Sequence, residues 1–399
     1  MIKVVWLCHF ANSELKKHFQ SPQINEFAPW INNLIELFKN SNQFDLHVVA
    51  PNVFTNTDCS FIKDGVNYHF YAFHFGFLPK KINALKKKLF GESYKNNQYK
   101  IVEIVDSIQP DIIHLHGAEN PYYSAGILPL AGKYPVLVTI QGFIRNSLLR
   151  SKIIKKRINV EEEILSRFKH FGVRTIEMNQ VISAINPKAK LHFHNYSIKK
   201  PSVIKNNIGK DEPVDCLFFA RICKDKGIED LLKAIAIVKI NQPNISLSII
   251  GAANNNYLSQ LKALCVELTI EQNVLFLGFL PTQEDIYKYA LNAKMTVLPT
   301  YHDIIPGTII ESMFMKLPVI SYSVGGIPEL NSKEETIFLV EKNNINQLAE
   351  KILMLLNNVD LRITLAEKAF GNAGERFNDD SVVKDVLEAY KLILEEKII

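Results

Sequence analysis

Pro299–Glu329 reads PTYHDIIPGTIIESMFMKLPVISYSVGGIPE, a combination of features that few folds need. It joins the end of an apolar strand, a helix start, two acids and a Gly-Gly turn. Pro306 suits the first position of a helix, and Gly307 lets another group approach the backbone closely. Because Ile305 cannot cap a helix, the first free amides, at Gly307 and Thr308, are available to an anion.

Two acids flank this helix start. Asp303 precedes it, and Glu311 lies about one turn inside it, where a carboxylate can accept hydrogen bonds from a pair of ribose hydroxyls. The alternative is that Asp303 or Thr308 caps the helix and that Glu311 lies on the surface. These residues alone leave both interpretations open.

The whole chain has 399 residues, too many for one ordinary core, so two domains of roughly 200 residues are expected. Apolar residues make up 47% of it and charged residues 22%, which is typical of a globular protein. No apolar run approaches the roughly 18 to 20 residues that span a bilayer, and MIKVVWLCHF is expected to form a first strand rather than a signal peptide. Five scattered cysteines without a C-x-x-C pair favour a reduced cytoplasmic setting and disfavour a zinc site.

The charge is unevenly distributed. Residues 1–200 carry 26 Lys and Arg against 15 Asp and Glu, whereas residues 201–399 carry 20 against 26. Basic clusters lie at Lys80-Lys81, Lys86–Lys88 and Lys152–Arg157, and the apolar Phe75–Pro79 precedes the first of them. A basic first half suggests an anionic partner: a phospholipid surface, a lipid-diphosphate acceptor or nucleic acid. The basic clusters could dock on anionic lipid, such as the inner face of the plasma membrane. Nucleic acid fits less well, because no aromatic residues are interleaved with the basic ones, and solvated helix faces are the alternative.

Apolar runs separated by helical segments indicate parallel, doubly wound sheets in both halves. The strands predicted in the first half are Ile2–Cys8, Phe44–Ala50, Val66–Phe75, Asp111–Leu115, Val136–Ile140 and Leu191–Asn195. Those predicted in the second half are Val214–Phe219, Ile245–Ile250, Val274–Leu277, Met295–Leu298 and Pro318–Ser321. The predicted helices are Gln23–Ser41, Ser147–Lys169, Gly227–Ile240, Tyr257–Thr269, Gln283–Leu291, Gly307–Met315, Asn346–Asn357, Asp360–Phe370 and Asp380–Glu395.

We therefore expect an α/β fold of two Rossmann-like domains that face a cleft, where ligands of such folds bind. Tyr196–Pro213 has the composition of a linker. The expected domains are residues 1–197 and residues 198–377, with the helical segment 378–399 completing the first.

Further candidate residues follow other strands of the second half. Arg221 and Lys226 come directly after an apolar strand, and an arginine fork with a mobile lysine suits a diphosphate leaving group. Gly251 ends the next strand in a small-residue turn, and Gly325-Gly326 forms another. The alternatives are that two basic residues after a strand are commonplace and that these glycines serve steric needs alone.

In this order and spacing, these pieces resemble the retaining glycosyltransferases of family 4, which have the GT-B fold. In the second half the resemblance is carried by R-x4-K-G from Arg221, then IIG, VLFLGFLP, the acid-x7-acid segment, PVIS and GGIPE. In the first half it is looser and runs through Pro110–Gly117 (PDIIHLHG) and Pro135–Gly142 (PVLVTIQG). Arg174–Asn195 looks like the end of the first domain in bacterial surface-polysaccharide members.

The resemblance implies roles for individual residues. Arg221 and Lys226 would bind the donor diphosphate, Glu311 the ribose, and Asp303 the transferred sugar. Gly251 would lie near the base. The other implied donor-binding residues are Pro306, Gly307, Thr308, Gly325, Gly326 and Glu329. The resemblance also implies that neither a metal nor a cofactor is needed and that a nucleoside-diphosphate sugar is the co-substrate.

Departures from the family pattern concern the sugar and the acceptor. The family's first acid is usually Glu, and Asp303 is one methylene shorter. Gln141 stands where the family often has His, and it can bond a hydroxyl but cannot carry a proton. The Gly-rich turn after the first strand is replaced by His9–Ser13. His116, before Gly117, is a candidate sugar or acceptor contact.

Two pairs of histidines lie two positions apart, His114 with His116 and His192 with His194. His114 is expected to be a packed strand residue. His192 and His194 lack acid or Cys partners in the sequence nearby, so core or hinge histidines are expected there rather than a metal pair.

The resemblance implies a cytoplasmic enzyme that moves a sugar from a nucleoside-diphosphate donor to a saccharide acceptor, expected to be lipid-linked, in cell-surface polysaccharide synthesis. The alternatives are a hydrolase or epimerase on the same fold and a non-catalytic nucleotide-sugar-binding protein. A nicotinamide-dependent oxidoreductase is disfavoured, because no G-x-G-x-x-G follows Ile2–Cys8.

Overall fold

The computed structural model describes residues 1–21, 26–39, 43–72, 94–146, 151–198, 200–201 and 214–396. They belong to two compact units: unit 1 is Met1–Ser197 with Asp379–Ile399, and unit 2 is Ile198–Asn378. Each unit is built on a mainly parallel sheet with helices, which confirms the expected α/β class with two parallel-sheet domains.

The described strands and helices are numbered here in chain order. The strands are β1 Ile2–Leu7, β2 Phe44–Pro51, β3 Cys59–Lys63, β4 Val66–Tyr71, β5 Ile112–His116, β6 Val136–Thr139, β7 His170–Val173, β8 Lys190–Phe193, β9 Val214–Phe219, β10 Leu247–Ile250, β11 Val274–Gly278, β12 Ala293–Leu298, β13 Val319–Tyr322 and β14 Phe338–Val340. The α-helices are α1 Ser13–His18, α2 Pro29–Lys39, α3 Lys95–Ile108, α4 Pro121–Ser124, α5 Lys152–Arg167, α6 Ile176–Ile185, α7 Ile228–Asn241, α8 Asn255–Glu267, α9 Gln283–Leu291, α10 Gly307–Phe314, α11 Ile345–Asn357, α12 Val359–Arg376 and α13 Asp379–Glu395.

The sheet of unit 1 runs in the order β3-β4-β2-β1-β5-β6-β7-β8. All its described pairs are parallel except β3 with β4, which form an antiparallel hairpin through Asp64-Gly65 at the edge. Gly65 there has a φ of +78°, a backbone conformation that favours glycine. Strands β3 and β7 were not among the predicted elements.

The core of unit 1 is closed by a helix from the far end of the chain. Val382, Val386, Ala389, Tyr390 and Ile393 lie on the inward face of α13 and pack into the same cluster as the residues of β1 and α2. The hydroxyl of Tyr390 accepts a hydrogen bond of 3.0 Å from the indole of Trp6 on β1 and lies 2.6 Å from His114 Nδ1 on β5. The Trp6 indole and His114 Nδ1 thus both have a polar partner inside this apolar core, as is usual for buried polar groups.

The sheet of unit 2 is parallel throughout its described pairs, in the order β11-β10-β9-β12-β13-β14. The chain builds outward from β9 to β11 and then returns to add β12 on the other side of β9. The strand order therefore reverses between β9 and β12, and in open α/β sheets ligands bind outside the carboxyl ends of the strands at such a point. Strand β14, only three residues long, was not predicted.

Element bounds differ from the predictions at several ends. Helix α10 begins at Gly307, as predicted, with Pro306 as its N-cap residue rather than its first helical residue, and it ends at Phe314, one residue before the predicted end. The helix predicted at Ser147–Lys169 spans Lys152–Arg167, because the Ser151 hydroxyl accepts a hydrogen bond from the Ile154 amide and starts it. No helix in the described part of the chain is long and apolar enough to cross a membrane.

Candidate active site

The candidate residues of unit 2 gather where two neighbouring strands end. β9 and β12 pair in parallel, with Cys216 opposite Met295. Arg221 follows β9, and Asp303 follows β12, so both segments leave the sheet at the same edge. Residues far apart in sequence therefore meet at the point where the strand order reverses.

The turn after β9 is pressed against the end of β12. Gly227 has a φ of +69°, and a Cβ at this position would lie 1.8 Å from the Pro299 carbonyl oxygen. The Tyr301 amide donates a hydrogen bond of 2.8 Å to the Asp225 carbonyl, which holds the two segments together. Only glycine fits this close approach, so the sequence Lys226-Gly227 brings a lysine up to the Pro299–Asp303 segment.

Lys226 and Asp303 form an ion pair at this edge. The Lys226 ammonium lies 2.5 Å from Asp303 Oδ2, and both side chains are half-buried, 17% and 20% exposed. The hydroxyl of Thr300 lies 2.7 Å from the same oxygen. Within the described residues, neither the second carboxylate oxygen of Asp303 nor the exposed guanidinium of Arg221 has a hydrogen-bonding or ionic partner.

The start of α10 is uncapped. Pro306 has an extended conformation and supplies no side-chain cap. The Thr308 hydroxyl does not cap the helix either, because it donates a hydrogen bond of 2.9 Å to the Phe219 carbonyl at the end of β9. Asp303 forms an ion pair with Lys226. Neither Asp303 nor Thr308 therefore caps the helix, as the alternative interpretation required. The amides of Gly307 and Thr308 have no acceptor in the described part of the chain, and an anion would find two donors at the positive end of a helix.

Glu311 lies on the first turns of α10 and is largely removed from water. Burial raises the pKa of Glu311 to about 7. The side-chain amide of Gln283 donates a hydrogen bond of 3.0 Å to Oε1 of Glu311 and partly offsets that rise. Its carboxyl group is therefore divided between neutral and charged forms near neutral pH. Gln283 was not predicted as a site residue, and neither was Thr300; no local sequence signal marks an amide or hydroxyl that supports an acid on another element.

The glycine turns have close-packing functions of their own. A Cβ on Gly251 would lie 1.9 Å from the Ala220 carbonyl oxygen, so this turn packs directly on the residue before Arg221. The Gly326 amide donates a hydrogen bond of 2.8 Å to the Ile304 carbonyl, which holds the Gly-Gly turn against the segment between Asp303 and Pro306. Gly325 has a φ of +58°. Their contacts with a donor stay predictions.

Glu329 lies beside a cation of α12. Its main-chain carbonyl accepts a hydrogen bond of 2.8 Å from the Arg376 guanidinium, and its carboxylate lies 3.6 Å from the same group. A ligand hydroxyl would have to share this carboxylate with Arg376. The predicted donor contact of Glu329 stays a prediction.

In unit 1, Gln141 follows β6 and is held by Arg174. Gln141 Oε1 accepts a hydrogen bond of 2.8 Å from the Arg174 guanidinium. The same guanidinium lies over the ring of Tyr196, 4.4 Å from the ring centre. The Gln141 side-chain nitrogen has no partner among the described residues and is left as a donor. Its predicted contact with sugar or acceptor stays a prediction.

His116 is 1% exposed and lies inside a stack of rings. Its ring is 3.8 Å from that of His114 and 4.6 Å from that of Trp6. Burial holds the pKa of His116 well below its usual range, so the ring is neutral. A contact with a ligand, as predicted, requires this stack to open.

His114, His192 and His194 each contact another polar side chain of unit 1, and His114 is packed within its strand as expected. His114 Nε2 lies 2.6 Å from the Thr139 hydroxyl, which is 3.0 Å from His194 Nε2, and His192 lies 3.1 Å from His170. Over the described ranges, no three His, Cys, Asp or Glu side chains are grouped as metal ligands would be.

Parts of the chain are similar to known glycosyltransferases. Residues 200–371 match the family described as Glycosyl transferases group 1. An uncharacterized glycosyltransferase of Haemophilus influenzae is 25% identical in an alignment of 347 positions that covers 84% of this chain and 91% of that protein. The capsular polysaccharide biosynthesis glycosyltransferase CapM of Staphylococcus aureus is 28% identical over 180 residues, 45% of this chain and 46% of CapM.

A solved structure matches nearly the whole chain. Alr3699/HepE of Anabaena, in complex with UDP, superposes with a TM-score of 0.69 at 15% identity and covers 98% of this chain and 100% of its own. Its two-domain architecture is the GT-B fold. Residues 200–371 therefore form a glycosyl transferases group 1 domain, and the chain, with its two parallel-sheet units, has the GT-B fold.

Proposed function

We propose that the chain transfers a sugar from a nucleoside-diphosphate donor to a saccharide acceptor with retention of the anomeric configuration. The observation that carries this proposal is the meeting of Lys226 and Asp303 beside the uncapped start of α10. A cation, an acid with one unpaired oxygen, and two free amides lie together. This set matches the diphosphate and the hydroxyls of a nucleotide sugar.

The chemistry asks the protein to stabilise a departing diphosphate. The bond from the anomeric carbon to the phosphate oxygen breaks, and the acceptor hydroxyl oxygen bonds to that carbon on the same face. The hydroxyl proton passes to the departing phosphate oxygen, so no protein base is needed. Arg221, Lys226 and the amides of Gly307 and Thr308 would stabilise the charge that develops, and one such contact contributes about 3 kcal/mol in other enzymes.

We infer that this stabilisation is metal-independent. Two cations and a helix N-terminus supply the positive charge that a divalent ion would otherwise supply. Transfer is expected to persist in excess EDTA, and loss of activity that Mg²⁺ restores would contradict this inference.

We propose that the acceptor is lipid-linked and that the reaction belongs to cell-surface polysaccharide synthesis at the inner face of the plasma membrane. The name of the Staphylococcus aureus relative supports the pathway, and the UDP complex of the Anabaena protein supports a nucleotide donor. The basic first half of the chain supports an anionic acceptor or membrane surface.

A basic face of α5 could provide the membrane contact. Lys152, Lys155 and Lys156 are exposed along it, together with Ile153, which is 39% exposed. The other basic clusters, at residues 80–81 and 86–88, and the apolar Phe75–Pro79 lie outside the described residues.

Vesicle binding tests this contact. The double variant Lys152→Glu with Lys155→Glu is expected to bind phosphatidylglycerol vesicles at least tenfold more weakly, since each basic residue contributes about 1 kcal/mol. The control exchanges Lys17 and Lys188, also exposed in unit 1, for Glu. Equal losses in both double variants would leave the α5 face without a special role.

The proposed reaction is tested by incubating the protein with a panel of nucleotide sugars, with and without a bacterial lipid-linked saccharide fraction. We expect nucleoside diphosphate release that depends on the acceptor, and a product whose anomeric signal in NMR matches that of the donor. Release without acceptor, or an epimerised sugar, would favour the hydrolytic or epimerising alternative. Donor binding without turnover would favour a non-catalytic binding protein.

A further inference from the structure

The two cations assigned to the donor diphosphate are not equivalent in the free protein. Arg221 is exposed and has no partner among the described residues, whereas Lys226 is already paired with Asp303 at 2.5 Å. A diphosphate that enters the site meets one uncompensated cation and one whose charge a carboxylate already balances. Asp303 therefore competes with the diphosphate for Lys226.

The carboxylate is fixed where it competes. Thr300 is fully buried, and its hydroxyl lies 2.7 Å from the same Oδ2 that Lys226 contacts. The main chain next to Thr300 is held against the turn that carries Lys226, because the Tyr301 amide donates a hydrogen bond of 2.8 Å to the Asp225 carbonyl. Asp303 thus has little freedom to turn away when a diphosphate approaches.

One side of the carboxylate remains open. Oδ1 of Asp303 has no partner in the part of the chain that the structure describes, and the side chain keeps 20% of its surface exposed. A sugar hydroxyl can donate a hydrogen bond to this oxygen and offset the negative charge beside the diphosphate. A free nucleoside diphosphate has no such hydroxyl to offer.

We propose that Asp303 is a specificity-determining residue that makes the donor site prefer the intact nucleotide sugar over the nucleoside diphosphate left after transfer. This proposal rests on the donor site of the proposed function. Repulsion between the carboxylate and the phosphates acts on both ligands, but only the sugar compensates it. After transfer, Asp303 again forms its ion pair with Lys226, and the product diphosphate is released.

Equilibrium binding of UDP, GDP and ADP, measured by isothermal titration calorimetry, tests the proposal. Asp303→Asn removes the charge at nearly constant size and is expected to tighten binding of the matching diphosphate about three- to tenfold, the range of a half-buried ion pair. Binding of the intact nucleotide sugar is expected to tighten less or to weaken. Asp225→Asn is the control, because Asp225 is an acid in the same turn whose carboxylate has no partner among the described residues.

A double-variant cycle identifies the cation involved. In a Lys226→Met background, Asp303→Asn is expected to lose most of its gain, because the competition needs Lys226. Asp303→Ala is measured beside Asp303→Asn, and circular dichroism establishes that each variant is folded.

The outcomes separate this proposal from the proposed function. If wild type binds a diphosphate and the two folded Asp303 variants bind it equally or more weakly, the competition is refuted while the donor site stands. A gain of equal size in Asp225→Asn would also refute it, since any nearby negative charge would then suffice. If wild type binds neither diphosphates nor nucleotide sugars, the donor site itself is refuted together with this inference.

Discussion

Gln283 donates a hydrogen bond of 3.0 Å to Oε1 of Glu311, although the two residues lie on different helices and 28 positions apart. This amide is a polar neighbour of a carboxyl group whose pKa burial raises to about 7. An amide donor favours the charged form, but here it only partly offsets the loss of water. The charge of Glu311 therefore changes within the physiological pH range.

Donor binding should depend on this charge. The carboxylate accepts hydrogen bonds from both ribose hydroxyls, whereas the protonated acid accepts them less well. The donor KM is therefore expected to fall as the pH rises from 6 to 8. In Glu311→Gln we expect a KM at pH 8 at least tenfold above that of wild type, with little pH dependence left. An unchanged KM in this variant would move the ribose contact to another residue.

Stability should show the opposite trend. The folded pKa of Glu311 lies above the ordinary value of 4.5, so folding favours the protonated acid. This contribution is fully present below pH 4.5 and is lost as the pH rises through 7. At pH 8, Glu311→Gln should be more stable to urea than wild type by about 1 to 3 kcal/mol, and the two should agree at pH 4.5. The exposed Glu271→Gln serves as the control and should show no such difference.

Loss of either donor-site cation should abolish transfer without unfolding the protein. Arg221→Ala and Lys226→Ala are each expected to lower kcat at least hundredfold, as removal of one preorganised donor does in other enzymes. Lys224→Ala changes an exposed lysine of the same turn and should leave kcat within twofold of wild type. Full activity in either cation variant, with a native circular dichroism spectrum, would refute the diphosphate assignment.

Gly227→Ala should destabilise unit 2 by several kcal/mol. Its φ of +69° alone costs about 1 kcal/mol for alanine, and the new Cβ would lie 1.8 Å from the Pro299 carbonyl, so one of the two segments must move. Gly278 has a similar φ of +74° with nothing within 4 Å of its Cβ position, so Gly278→Ala measures the cost of the backbone angle alone. Equal urea midpoints for the two variants would show that the close approach at Pro299 is not required.

Tyr390→Phe should destabilise unit 1 by about 1 to 3 kcal/mol. It removes the oxygen that accepts from the Trp6 indole and lies 2.6 Å from His114 Nδ1, and both nitrogens would stay buried without it. Tyr99→Phe removes a hydroxyl from a side chain that is 73% exposed and should change the unfolding free energy by less than 0.5 kcal/mol. Comparison of the two urea curves checks the prediction.

The sequence predicted most strands of both sheets, because apolar runs of four or more residues mark buried parallel strands. It missed three for identifiable reasons. His170–Val173 (HFGV) contains histidine and glycine and directly follows a helix whose predicted end was Lys169. Cys59–Lys63 is an edge strand with an exposed face, and Phe338–Val340 has only three residues.

For the candidate site, local patterns identified the residues but not their pairing. The strand end and helix start predicted where Lys226 and Asp303 belong, yet their ion pair joins positions 77 apart and depends on the close approach at Gly227. The burial of His116 could not be predicted either. It follows from the position of β5 between β1 and β6, where rings from several elements enclose it.

The return of α13 to unit 1 sets the order in which the two units can be finished during synthesis. Strand β1 leaves the ribosome first, but the residues that cover Trp6, among them Tyr390, are made only after all of unit 2. Unit 2 is continuous in sequence and can close its core while it emerges. Unit 1 must keep part of its apolar core uncovered until α13 has been made, so the unit whose first strand precedes unit 2 in the chain is completed after unit 2.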